Sequence, residues 1–114
     1  MTVSDLAKFG QAHMNGLHDK DGFLTAKTIQ RLHKAIPEGP GGRPYACGWG
    51  YENVPTIQPF QGHNGSNGTM RSQLAIFPEA NLVVVAIVNC GGEFEPSPGF
   101  SAVMAVGQRF APVK

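Results

Sequence analysis

The run Leu82-Val-Val-Val-Ala-Ile-Val88 constrains the fold of this chain more than any other segment. It is apolar at every position and rich in β-branched residues, which suit a pleated surface better than a helix. A strand with one wet face alternates apolar and polar side chains. This one does not alternate, so it reads as a central strand covered on both faces. Ser72–Phe77 reads as a second strand, and Pro78-Glu-Ala-Asn81 has a tight-turn composition. The two strands therefore form a hairpin.

A strand of that kind needs helices on both faces and neighbours on both sides, and the rest of the chain barely supplies them. Thr2 followed by Asp5 is a helix-start signature. Val3, Leu6, Ala7, Phe9, Gly10, His13, Met14 and Leu17 follow at helical spacing. These residues predict a helix over 3–15 with Gly16 as its stop. After the polar turn 18–22, Thr25 caps a second short helix with Ile29, Leu32, His33 and Ile36 on one face, ended by Pro37. Tyr45-Ala-Cys-Gly-Trp-Gly-Tyr51 reads as a glycine-bearing strand with Tyr45, Cys47, Trp49 and Tyr51 on one face. Phe60–His63 is a further short strand. A third helix runs from about Phe100, capped near Ser97 and ended by Pro112. The fold class is α+β, an antiparallel sheet flanked by helices.

The 114 residues fit a single domain, and 15 glycines and 9 prolines gather at 37–44, 59–68 and 91–99. A net charge of +1 gives no electrostatic reason to expect nucleic acid or an acidic membrane as partner. Residues 1–20 show no apolar signal core, and Leu82–Val88 is too short to span a bilayer. The chain reads as soluble, its compartment is unassigned, and its start is abrupt. Two cysteines, Cys47 and Cys90, read as small half-buried residues rather than a bridge. His13, His18, His33 and His63 lack metal-ligand spacing, so no metal or cofactor is expected. His13 and His33 are placed at the flanks of the helical stripes. Glu79, Glu93 and Glu95 read as solvated turn residues.

The most site-like run is Gly62-His-Asn-Gly-Ser-Asn-Gly-Thr69, where a strand ends. From composition it reads first as a loop whose Asn-Gly pairs supply positive φ. Read as a site, its glycines let backbone N–H groups approach a ligand, and His63 can donate to a developing anion or carry a proton near neutral pH. It is not a phosphate loop, because no Lys-Ser or Lys-Thr follows the glycines. Tyr51-Glu52-Asn53 has the form Tyr-x-Asn, but it continues the Trp49 strand and reads as a chance match.

Taken together, Tyr45–Tyr51, the Gly62-His-Asn-Gly run and the hairpin Leu74–Asn89 resemble the C-terminal part of active-site-serine hydrolases. These are the class C-like β-lactamases, penicillin-binding proteins and esterases. The opening helix and the Phe23-Leu-Thr-Ala helix are similar to the segments preceding that strand. The resemblance implies a partial β-lactamase/transpeptidase-like αβα sandwich, with residues 1–114 as a single partial domain. The family uses Ser-x-x-Lys, Tyr-x-Asn and Lys-Thr-Gly, the last often His-x-Gly. By resemblance His63 stands at the lysine, with Asn64 and Gly65 as substrate-binding positions. The backbone N–H of Ser66 is then an oxyanion donor. No Ser-x-x-Lys occurs: the residues three after Ser4, Ser66, Ser72, Ser97 and Ser101 are Ala7, Thr69, Ala75, Phe100 and Met104. The expectation is one wall of an active site, inactive alone, with a small acyl or peptide-like ligand. The alternative is a non-catalytic small-ligand binding or oligomerisation module. Absent strands imply an exposed sheet edge that pairs with a second copy or with a complementing N-terminal chain.

Overall fold

The computed structural model describes residues 1–93 and 96–114. Helices α1 (Val3–Leu17) and α2 (Ala26–Leu32) come first. Strands β1 (Gly50–Glu52), β2 (Phe60–Ser66), β3 (Arg71–Phe77) and β4 (Leu82–Val88) follow, and α3 (Pro98–Phe110) comes last. The four strands form one antiparallel sheet in the order β1-β2-β3-β4. The fold is α+β, as the element order implied.

Strand alternation divides the interior in two. Leu74 and Ile76 of β3 pack with Met14 of α1 and with Trp49. Ala75 and Phe77, pointing the other way, pack with Phe60, Val84 and Val103 of α3. The result is a three-layer arrangement, α1 and α2 on one face and α3 on the other. A Cβ on Gly10 would lie 2.6 Å from Val83 Cγ1, so the missing side chain lets α1 settle on the sheet.

The helix starts are local. Thr2 Oγ1 accepts from Asp5 N at 3.1 Å and Asp5 Oδ2 accepts from Thr2 N at 3.1 Å, a closed capping box. Thr25 and Ser97 cap α2 and α3 singly, their side chains accepting from Thr28 N and Phe100 N. The helix ends are not local. Gly16 lies inside α1 rather than stopping it, and the left-handed residue is Asp19, at φ 63°. A Cβ on Gly16 would come within 2.5 Å of Ile29 Cβ, so this glycine serves the crossing of α2 over α1. Helix α2 ends at Leu32, before Ile36, which leaves the helical face, bridges to Tyr45 and is exposed. His18 Nε2 donates to the Pro78 carbonyl at 2.9 Å and ties the end of α1 to the β3–β4 turn.

Three strand expectations are corrected. Tyr45–Tyr51 is not one strand, because Gly48 at φ 82° turns the chain and Ala46 N donates to Trp49 O at 2.8 Å. Trp49 is buried while Cys47 is exposed, so the expected shared face does not form. Strand β2 runs three residues past His63, to Ser66. Strand β4 is not central: among the described residues it pairs with β3 alone and ends the sheet. Its faces are nonetheless covered by α1 and α3. An apolar run reports what covers a strand's faces and says nothing about its edges. The expected loop 91–99 includes Phe94 and Glu95, which lie outside the described residues. No helix among the described residues is long and apolar enough to cross a membrane.

Candidate functional site

The run His63-Asn64-Gly65-Ser66 is strand, not turn. Its residues stand opposite Leu74, Gln73, Ser72 and Arg71 of β3. Only the second Asn-Gly pair makes the reversal. Gly68 sits at φ 91°, and Asn67 Oδ1 accepts from Thr69 N at 3.0 Å and Met70 N at 2.8 Å. Gly65 is extended, and a Cβ there would lie 2.9 Å from Ser72 Oγ.

The turn also sets which way the backbone groups point. Asn67 N donates to Met70 O at 3.2 Å, so that pair is a hydrogen-bonded one. In an antiparallel ladder such pairs alternate with pairs whose N–H and C=O point away. Asn64 and Ser66 therefore turn their N–H groups away from β3. Strand β1 pairs with β2 only as far as Gly62. Beyond that residue no strand among the described residues pairs with the β2 edge, and the N–H groups of Asn64 and Ser66 point out along it.

A cavity of about 480 Å³ lies along this edge. His63, Asn64, Arg71, Gln73, Arg43 and Ser97 are among its polar lining, with Phe60 and Phe100 as apolar floor. His63, Asn64 and Ser66 are exposed. Arg71 Nη2 donates to the Gly92 carbonyl, while its buried Nε has no partner among the described residues. Arg71 escapes a motif search; its position opposite Ser66 in the hairpin register is the signal that finds it. Tyr51 of the Tyr-x-Asn form points elsewhere. Its hydroxyl donates to the His33 carbonyl, and burial pushes its pKa up.

On the opposite face a second cavity, of about 490 Å³, is lined by Leu6, Phe9, Leu32, Trp49 and Leu74 with His13, His63, Cys47 and Ser72. Beside it His13 and His33, placed by their spacing at the flanks of two separate helical stripes, meet each other. His13 Nδ1 and His33 Nε2 are 2.8 Å apart and buried. Gln61 Oε1 accepts from His33 Nδ1–H. Neutral His33 is then an acceptor at Nε2, so His13 donates from Nδ1. Burial and the neighbouring His33 push His13 down to about 4, and burial also lowers His33. Both rings pack on Trp49, at centroid distances of 5.0 and 4.4 Å.

The family model described as Beta-lactamase matches residues 1–106 of this chain. No curated protein and no solved structure matches it.

Proposed function

The chain belongs to the β-lactamase family, and from that premise we propose that it supplies one wall of a serine-hydrolase site for acyl transfer. The carrying observation is the unpaired β2 edge, where the N–H groups of Asn64 and Ser66 point away from β3 beside a cavity lined by His63 and Asn64. Attack on a carbonyl builds negative charge on its oxygen, and a fixed N–H aimed at that oxygen stabilises it. Ser66 takes this role through its backbone. Its hydroxyl accepts from Gly68 N at 3.2 Å. Asn64 and Gly65 provide the strand edge along which a small acyl or peptide-like ligand lies extended, and His63 donates to it from the rim.

Acyl transfer also needs a nucleophile with its base. These 114 residues contain no Ser-x-x-Lys. That pair comes from a complementing segment, and the 114-residue chain alone is inactive. The test is hydrolysis of nitrocefin and p-nitrophenyl acetate by the purified chain. No turnover above buffer is expected. Turnover that follows the chain through successive columns and survives His63→Ala overturns the reading. A small acylated dipeptide is expected to shift amide resonances at residues 62–69, and shifts confined elsewhere count against the wall.

The β4 edge supports a partner. Continuing the ladder alternation from the Asn67–Met70 pair, Val83, Val85 and Ile87 point their backbone groups away from β3. This edge is seven residues long and carries no charge and no proline, features by which exposed edges are usually blunted. A strand from a second copy or from the complementing segment pairs there. Light scattering at high concentration is expected to show a dimer or larger species, and a monomer excludes self-pairing.

A further inference from the structure

We propose that the cavity between α1 and the sheet binds a small neutral apolar molecule bearing one hydrogen-bond donor, an alcohol or phenol, received by His13 Nε2. This site lies on the opposite face of the sheet from Asn64, shares His63 with the first cavity, and does not rest on the reading of the open edge. The cavity, about 490 Å³, is walled by Leu6, Phe9, Trp49 and Leu74, and its size and apolar lining suit a compact ring or short aliphatic chain.

The polarity of the site follows from a chain of hydrogen bonds. The Gln61 carbonyl oxygen only accepts, so His33 donates from Nδ1. His33 Nε2 then accepts from His13 Nδ1–H, and a neutral His13 is left with its lone pair at Nε2. That nitrogen has no partner among the described residues and is not among the fully buried polar atoms without one, so it opens onto the cavity His13 lines. His13 is only 5% exposed, and burial favours its neutral form at physiological pH. A ligand donor takes the place of the water that reaches this acceptor, while the rest of the ligand covers the apolar wall and removes it from water. A neutral acceptor offers nothing to an anion, and a ligand carrying only acceptors would face it lone pair to lone pair.

The test uses two probes of similar size, p-cresol and 4-methylanisole, added to the purified chain. Trp49, the sole tryptophan, reports occupancy by fluorescence. Saturable binding of p-cresol is expected, at least tenfold tighter than 4-methylanisole, and His13→Phe removes that preference. Amide shifts in the wild-type chain keep the test independent of any folding defect in the variant. They are expected at Leu6, Phe9, Cys47, Gly48 and Ser72. Equal affinity for the two probes, a preference for the ether, or shifts confined to Asn64, Arg71 and Gln73 overturns the proposal.

Discussion

His13 Nδ1 and His33 Nε2 lie 2.8 Å apart in the interior, one from α1 and the other from the residue that caps the end of α2. One proton sits between them. A second proton placed on His33 Nε2 would set N–H against N–H and break the contact, whereas one placed on His13 Nε2 keeps the contact but adds a charge in a buried setting. Both histidines hold pKa values below the ordinary 6.5, with His13 at about 4. The unfolded chain therefore binds more protons than the folded one between pH about 4 and 6.5. Stability is expected to rise with pH across that window, by roughly 3 kcal/mol for His13, and to level above it. Urea midpoints at pH 4.5, 5.5, 6.5 and 7.5 check this, and a flat series rejects it.

Gln61 anchors the same chain of bonds. Gln61→Leu keeps most of the volume and removes the acceptor of His33 Nδ1–H. Leaving that buried donor unsatisfied is expected to cost about 1–3 kcal/mol. Chemical denaturation at pH 7.5 measures it, and an unchanged midpoint shows that the amide carries no share.

Gly16→Ala sets two effects against each other. Alanine is the better helix former by about 1 kcal/mol. Its Cβ would sit 2.5 Å from Ile29 Cβ, and overpacking of this kind costs about 1–3 kcal/mol. The steric effect is expected to win, so the variant unfolds at lower temperature. A higher Tm would mean that α2 shifts freely off α1.

Asn67 organises the turn after Ser66. Asn67→Ala removes the acceptor of Thr69 N, Thr69 Oγ1 and Met70 N. The expected loss is about 1 kcal/mol in the unfolding free energy, with amide exchange faster at Gly65 and Ser72 than at Gln61 and Ile76. Uniform exchange across the hairpin contradicts a turn that holds the open edge in place.

The β4 edge is tested by Val85→Pro. The Val85 N–H points away from β3, so proline removes an edge donor and leaves the β3–β4 ladder. The expected outcome is a shift toward monomer by analytical ultracentrifugation with the sheet retained in the circular dichroism spectrum. An unchanged assembly places the partner contact elsewhere.

Much of the secondary structure is legible in the sequence because its causes are short-range. Thr2 with Asp5, Thr25 and Ser97 mark helix starts by satisfying N–H groups within three residues. The β3–β4 hairpin follows from two apolar runs and a four-residue turn. The end of β2 is not set locally. Asn64-Gly65 and Asn67-Gly68 are alike in composition, and only pairing with β3 decides that the first is extended and the second turns.

The candidate site divides in the same way. The residue types at His63, Asn64, Gly65 and Ser66 and the absence of Ser-x-x-Lys are properties of the sequence alone. The open edge at Ser66 belongs to the tertiary structure, since it depends on β1 stopping at Gly62. So does the edge position of β4, because face hydropathy carries no record of backbone pairing. The meeting of His13 with His33 is likewise tertiary, since it depends on the angle at which α2 crosses Gly16. Local sequence sets which backbone groups are satisfied within a turn or a helix end, whereas contacts across many residues are set by which surfaces pack, and no single segment encodes that.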